Sequence, residues 1–236
     1  MAYGNLSAKE LARLLGSDAR QLERQAQRGE IPCQKVGGQF RFNQAQIHDW
    51  LQQTVTTMDG DGLSRMDAGM TSHRRASQDD MIVAPLLQNG GIAVQLDART
   101  KNGVLRRLVG LAQETGLVYD DAALLQAVME REQVASTAIE GGVAIPHPRC
   151  PQPYTIADTV LVVASTGQKV IFGGPHGDAT DLFCFIASQD SDHHLHLLAR
   201  LCRMLQDKAF VQDMREATTV HELKSLVTER ELRLLS

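Results

Sequence analysis

The chain has 236 residues, 43% of them hydrophobic, 22% charged and 4% aromatic, with a net charge of −4. These proportions suit a water-soluble globular chain of one large domain or two modest ones, with a core of Leu, Val, Ile and Ala. They exclude a membrane-spanning helix, because no apolar run approaches the roughly 18 residues that a span requires.

The first residues, MAYGNLSAKE, lack a cationic start and a hydrophobic stretch, so no secretory signal is expected. Cys33, Cys150, Cys184 and Cys202 lie far apart, and no pair has metal-site spacing. Reduced thiols in a cytoplasmic protein are expected, with no metal and no cofactor. The first 53 residues carry seven basic and five acidic side chains, which leaves −6 for the rest. That asymmetry suggests two modules with different partners.

In chain order, Ser7 followed by Glu10 is a capping-box pattern, and Leu11, Leu14 and Leu15 supply the apolar stripe of a helix that stops at Gly16. Ser17 is expected to cap a second helix, from about Asp18 to Arg28, with Leu22 and Ala26 inward and Gly29 as its stop. Two short helices joined by a Gly-containing turn read as a helix-turn-helix. In IPCQKVGGQFRF, Gly37-Gly38 forms a two-residue hairpin turn between Lys35-Val36 and Gln39-Phe40-Arg41-Phe42. Asn43 caps a last helix in which Ile47, Trp50 and Leu51 close a small core.

The stretches LSAKELARLLG, RGEIP and KVGGQFRFNQAQIHDWL together resemble the excisionase or MerR-like winged-helix family. The resemblance implies a second helix that enters the major groove and a hairpin wing on the backbone. Arg20, Gln21 and Arg24 would face the groove, with Lys35, Gln39 and Arg41 on or beside the wing. Arg and Gln suit base edges, and Lys and Arg neutralise phosphates. DNA is thus the expected partner, and a homodimer would follow the habit of reading paired half-sites. The competing reading is a helix-turn-helix kept as a protein-docking or dimerising module.

From Thr54 to Asp79 no period is sustained, and residues 54–79 are read as a flexible or loosely ordered linker between domains at 1–53 and 80–236. Beyond it, helical and strand-like patterns alternate. NGVLRRLVGLAQETG and DDAALLQAVMEREQV read as helices. TIADTVLVVAS and ATDLFCFIAS read as strands, VAIPH as a strand end, and HLHLLARLCRMLQD and VHELKSLVTERELRLL as helices. The fold class expected is α/β, a mixed sheet sandwiched by helices, preceded by the small winged helix-turn-helix.

Four stretches of this second module carry a further resemblance: KNGVLRRLVGLAQETGLV, LLQAVMEREQVASTAIEGGVAIPHPR, ATDLFCFIAS and DHHLHLLARLCRMLQD. They resemble the enzyme IIA component of the bacterial phosphotransferase system, in its fructose, mannitol and nitrogen-regulatory class. That resemblance implies a phosphoaccepting His147 in the Ile-Pro-His tripeptide, an auxiliary His194 opening its helix, and Arg131 beside them. It also implies a phosphohistidine carrier protein of the HPr type as donor, with a IIB or regulatory protein as target. The chemistry agrees: neutral imidazole is a nucleophile near pH 7, and phosphoryl transfer asks mainly for positioning and charge neutralisation.

Pro146 and Pro148 restrict the backbone around His147. Gly141 and Gly142 are expected to bring backbone N–H groups to phosphate oxygens, and Thr137 either to join them or to cap the turn. Glu140 either faces the phosphoryl group or points to solvent. His193 and His196 are expected at the surface, and His176 in a solvated loop. Three readings follow: a phosphorylation-responsive regulator coupled to DNA, a sugar phosphocarrier to a IIB partner, or a binding scaffold that is no longer phosphorylated. The first two make the chain a phosphoryl carrier with no small-molecule turnover of its own.

Overall fold

The computed structural model describes residues 4–73 and 80–235. The chain divides into two compact units: residues 1–80 with Leu195–Arg203, and residues 81–194 with Met204–Ser236.

In the first unit, β1 (Asn5–Ser7) leads into α1 (Ala8–Leu14) and α2 (Ala19–Gln27). β2 (Gln34–Val36), β3 (Gln39–Asn43) and α3 (Gln44–Thr54) follow. The Ser7–Glu10 capping box forms in both directions. Asp18, not Ser17, caps α2: its carboxylate accepts the N–H groups of Arg20 and Gln21 at 3.0 and 3.1 Å, and so it meets the orphan donors of the first turn. Gly37 and Gly38 take φ of 59° and 80°, the left-handed pair that a tight hairpin turn needs, and join β2 to β3. β1, which the sequence reading omitted, pairs antiparallel with the other side of β3. Leu11, Leu22, Ile31, Phe42, Ile47 and Leu51 form the buried core, whereas Trp50 is only half-buried.

Residues 60–73, expected to be loosely ordered, form helix α4 (Gly60–His73). Leu63, Met66 and Met70 recur at helical spacing and are buried. The glycines that disguise this period have a packing role. A Cβ on Gly69 would stand 2.7 Å from the backbone N of Gly16, and one on Gly16 would stand 2.1 Å from Arg65 O. Two backbones meet there with no room for a side chain. Residues 74–79 of the expected linker lie outside the described residues.

α4 also presents Asp67 to α7 (Ser191–Leu205), whose residues 195–203 belong to the same unit. Asp67 is buried and receives Arg200 Nε at 2.7 Å, Arg203 Nη1 at 3.0 Å and His196 Nε2 at 3.1 Å. Burial pushes its carboxyl up. The His196 hydrogen bond, the Arg200 charge and the bonds from both arginines outweigh that and hold it below its ordinary value.

The second unit is built on a five-stranded mixed sheet flanked by helices, in the order β4 (Ile92–Leu96), β7 (Val160–Val170), β8 (Thr180–Ala187), β6 (Val143–Ala144), β5 (Ala138–Ile139). β4 is parallel to β7 and β6 to β8, whereas β7–β8 and β5–β6 are antiparallel. α5 (Lys101–Glu114) and α6 (Asp121–Val134) come between β4 and β5. Val104, Leu105 and Leu108 of α5 and Leu124 and Val128 of α6 share one cluster with Val162, Phe183 and Phe185 of the sheet. Each such side chain stabilises the fold by about 1.5–3 kcal/mol on burial.

α8 (Lys208–Glu216) and α9 (Val220–Leu235) complete the unit. α8 was not read from the sequence, though Asp207 caps it by accepting from Ala209 and Phe210 N–H. The run MIVAPLL gives a 3₁₀ turn at Ala84–Leu87. The buried Glu231 of α9 accepts the N–H groups of Ile82, Val83 and Ala84 at 2.7, 2.9 and 2.7 Å, which satisfies the open start of that turn.

Candidate functional site

His147 sits just past the end of β6. Two backbone bonds fix the approach: Ile145 N–H donates to Thr137 O at 3.0 Å, and Ile186 N–H of β8 donates to Pro146 O at 3.0 Å. The segment is therefore stitched on both sides as it delivers the ring, and Pro146, His147 and Pro148 are all buried. His147 Nδ1 lies 2.7 Å from the carbonyl of Ile145. A carbonyl only accepts, so Nδ1 carries a hydrogen, and on the neutral ring the lone pair falls on Nε2, itself buried.

His194 lies in the first turn of α7, buried, and its ring is tilted 52° to that of His147 with centroids 5.0 Å apart. It does not open the helix. Asp190 accepts the N–H of His193 on its side chain and that of His194 on its carbonyl, so the helix begins at Ser191. Of the neighbouring histidines, His193 is half-buried with Nδ1 3.3 Å from Thr159 Oγ1, whereas His196 is not a surface residue but buried against Asp67. The reason is that α7 is buried continuously from His194 to Cys202. His176 is exposed in a 3₁₀ turn, at φ 57°.

Arg131 is buried in the last turn of α6 and donates from Nη1 to Ala135 O at 2.9 Å. Thr137, also buried, gives both its N–H and its hydroxyl to Glu132, the hydroxyl at 2.6 Å. Its one hydroxyl hydrogen is thus already placed. Gly141 and Gly142 form the turn between β5 and β6, and their carbonyls are engaged, Gly142 by the N–H groups of Asp181 and Leu182 and Gly141 by Arg215. Glu140 is exposed in the same turn. The structure thus joins His147, His194 and the Thr137 segment, and ties Arg131 to that segment through Ala135.

Sequence reasoning missed Glu132, which is buried and pairs with Lys101 Nζ at 2.9 Å. A signal existed: a carboxylate in the last turn of a helix opposes the helix dipole and calls for a compensating partner. Among the described residues, no group of three or more His, Cys, Asp or Glu is placed to hold a metal ion. No helix among them is long and apolar enough to cross a membrane.

Residues 85–230, more than half of the chain, match the family model of the phosphoenolpyruvate-dependent sugar phosphotransferase system, EIIA 2. The chain belongs to the EIIA 2 family. The EIIA 2 span follows a second match, at residues 6–55, to a helix-turn-helix domain. The chain is 27% identical over 150 residues to a nitrogen regulatory protein of Bradyrhizobium diazoefficiens, covering 62% of this chain and 95% of that one. It is 29% identical over 130 residues to a multiphosphoryl transfer protein of Salmonella typhimurium, covering 55% of this chain. The chain spans only 33% of that relative's length. The nitrogen regulatory protein IIA-Ntr from Neisseria meningitidis shares the fold, with a TM-score of 0.55 at 19% identity over 61% of this chain and 97% of that one.

In the helix-turn-helix region, Arg20, Gln21 and Arg24 are exposed on α2. Gln21 and Arg24 line a shallow surface depression with Gln27 and Arg28. Lys35 is exposed on β2 with Nζ 5.7 Å from the Phe40 ring centre. Arg41, half-buried on β3, donates to the Gln39 side chain at 2.9 Å.

Proposed function

We propose that this EIIA 2 protein is a regulator phosphorylated on His147 by a phosphohistidine carrier protein of the HPr type, and that the phosphoryl state governs its contact with DNA. The observation that carries the reading is the His147–His194 pair, with centroids 5.0 Å apart and the first ring held as its Nδ1–H tautomer. In the transfer, the Nε2 lone pair attacks the donor's phosphorus. The new N–P bond forms as the donor's N–P bond breaks, and the donor imidazole leaves with that bond's electrons. The Ile145 carbonyl accepts a hydrogen bond from Nδ1–H of a ring that gains positive character. His194 donates to a phosphoryl oxygen, and Arg131 supplies positive charge to the spreading oxygen charge.

The DNA half rests on the helix-turn-helix match and on the exposure of Arg20, Gln21, Arg24 and Lys35. Arg20, Gln21 and Arg24 read the groove, while Lys35 and Arg41 meet phosphates. A second reading, a phosphocarrier serving a IIB partner in sugar uptake, is favoured by the sugar phosphotransferase description of the matched family.

Incubation with labelled phosphoenolpyruvate, enzyme I and the HPr-type carrier tests the first claim. Wild type takes up label and His147→Ala does not; equal uptake overturns the assignment. Gel retardation of the labelled and unlabelled forms then separates the two readings. A shift that differs between the forms supports the regulator, and the absence of any DNA shift supports the carrier.

A further inference from the structure

Three buried carboxylates attract attention. Asp67 and Glu231 hold helices and turns in place, as described above. Glu132 is different, because the groups it holds lead directly to the reactive ring.

Its carboxylate takes the Thr137 N–H at 3.0 Å and the Thr137 hydroxyl at 2.6 Å. The Thr137 carbonyl then takes the N–H of Ile145 at 3.0 Å. The Ile145 carbonyl, on the other end of the same residue, receives His147 Nδ1–H at 2.7 Å. Four hydrogen bonds in three steps thus run from one buried charge to the ring nitrogen that carries the hydrogen. Ser136, between Ala135 and Thr137, is pinned separately, its hydroxyl donating to Phe172 O at 3.1 Å. Arg131, the neighbour of Glu132 on α6, holds Ala135 O. The end of α6 therefore holds Ala135 through Arg131 and Thr137 through Glu132.

The charge is balanced locally. Lys101 Nζ lies 2.9 Å from Glu132 and 5.0 Å from the centre of the Phe172 ring, so the cation is held over an aromatic face while it neutralises the carboxylate. A paired carboxylate of this kind supplies strong, directional acceptors without leaving a net negative charge to repel an incoming phosphoryl group.

We propose that Glu132 is a positioning residue for phosphoryl transfer: through Thr137 and Ile145 it fixes the Nδ1–H tautomer and the aim of His147. The proposal rests on the phosphoacceptor reading of His147. Its first readout does not depend on that reading.

The experiment uses the full chain and the variants Glu132→Gln, Thr137→Val, Thr137→Ser and His147→Ala, with folding checked by circular dichroism. The first measurement is the nitrogen-15 spectrum of the unphosphorylated imidazoles at neutral pH, with His147 assigned by its loss in His147→Ala. Wild type shows His147 protonated on Nδ1 alone. Glu132→Gln shows a mixture of tautomers, because the amide offers one acceptor where the carboxylate offers two and cannot pair with Lys101. Thr137→Val gives a smaller shift in the same direction, and Thr137→Ser, which keeps the hydroxyl, restores the wild-type spectrum.

The second measurement is transfer from the labelled HPr-type carrier. For Glu132→Gln the maximal rate falls about 10- to 100-fold, as expected of a misaimed reacting group, with the half-saturating carrier concentration little changed. A folded Glu132→Gln with a wild-type tautomer and rate overturns the proposal. If Glu132→Gln does not fold, Thr137→Val carries the test: its own wild-type spectrum would overturn the proposal. If wild type takes up no label, the phosphoacceptor reading fails, while the tautomer spectra still decide whether Glu132 orients the ring.

Discussion

The helix-turn-helix surface and the surroundings of His147 handle polar side chains in opposite ways. The helix-turn-helix region turns Arg20, Gln21, Arg24 and Lys35 outward, where water and counter-ions share their charge. The EIIA 2 region buries His147, His194, Arg131 and Glu132, and holds His147, Arg131 and Glu132 through specific short contacts. A surface that meets a polyanion needs charge density and little internal organisation. A group that changes bonds needs a defined tautomer and a fixed direction, which only a surrounding shell can impose. Substitutions should therefore cause graded losses in the first region and abrupt ones in the second.

The largest effect is expected at His147: replacement by Ala abolishes labelling by the carrier system while leaving DNA retardation of the unlabelled protein unchanged. Asp67 comes next, and it tests the contrast from the other side, because it is a buried charge within the first unit. Asp67→Asn leaves Arg200 with a neutral partner, and removing one member of a buried ion pair costs about 3–5 kcal/mol. Denaturant titrations at several pH values should reveal its linkage. The folded-state pKa is depressed below the ordinary 3.8, so the stabilisation is complete above that value and is lost as pH falls through the lowered one. The gap between wild type and Asp67→Asn should be constant near neutrality and close only in strong acid.

Smaller losses belong to the surface. Arg24→Ala should weaken DNA binding by about 1–3 kcal/mol in retardation assays, with phosphoryl uptake unaffected. Equal, salt-insensitive mobility of wild type and variant would instead assign the helix-turn-helix to protein docking. The smallest effect concerns the α1 cap: Ser7→Ala removes the hydroxyl that accepts Glu10 N–H, and it should lower thermal stability by about 1 kcal/mol.

Much of the fold could be read from local chemistry. The Ser7–Glu10 box, the Gly37–Gly38 turn and the period of α5 each act within a few residues, so they can be read without knowing their neighbours. α4 escaped because Gly69 serves a backbone 53 positions away at Gly16, a contact that looks in sequence like a broken helical period. His196 was misplaced for a similar reason, since its partner Asp67 lies 129 positions earlier. Within the candidate site, the motifs named His147 and His194, and the structure brings their rings together. Their 5.0 Å apposition and the choice of Nε2 depend on Ile145, Thr137 and the pairing of β6 with β8. The carriers of that information are backbone carbonyls, which no residue type announces.

The central claim concerns one nitrogen atom. Wild-type protein phosphorylated by the complete carrier system should be examined by nitrogen-15 and phosphorus-31 spectroscopy, with the modified residue mapped by peptide mass spectrometry. The account predicts a single phosphoryl group on Nε2 of His147, with Nδ1 still bearing its hydrogen toward Ile145. Phosphate on Nδ1, on His194 or on another residue would contradict it, as would an unlabelled chain in a mixture that labels an active EIIA domain.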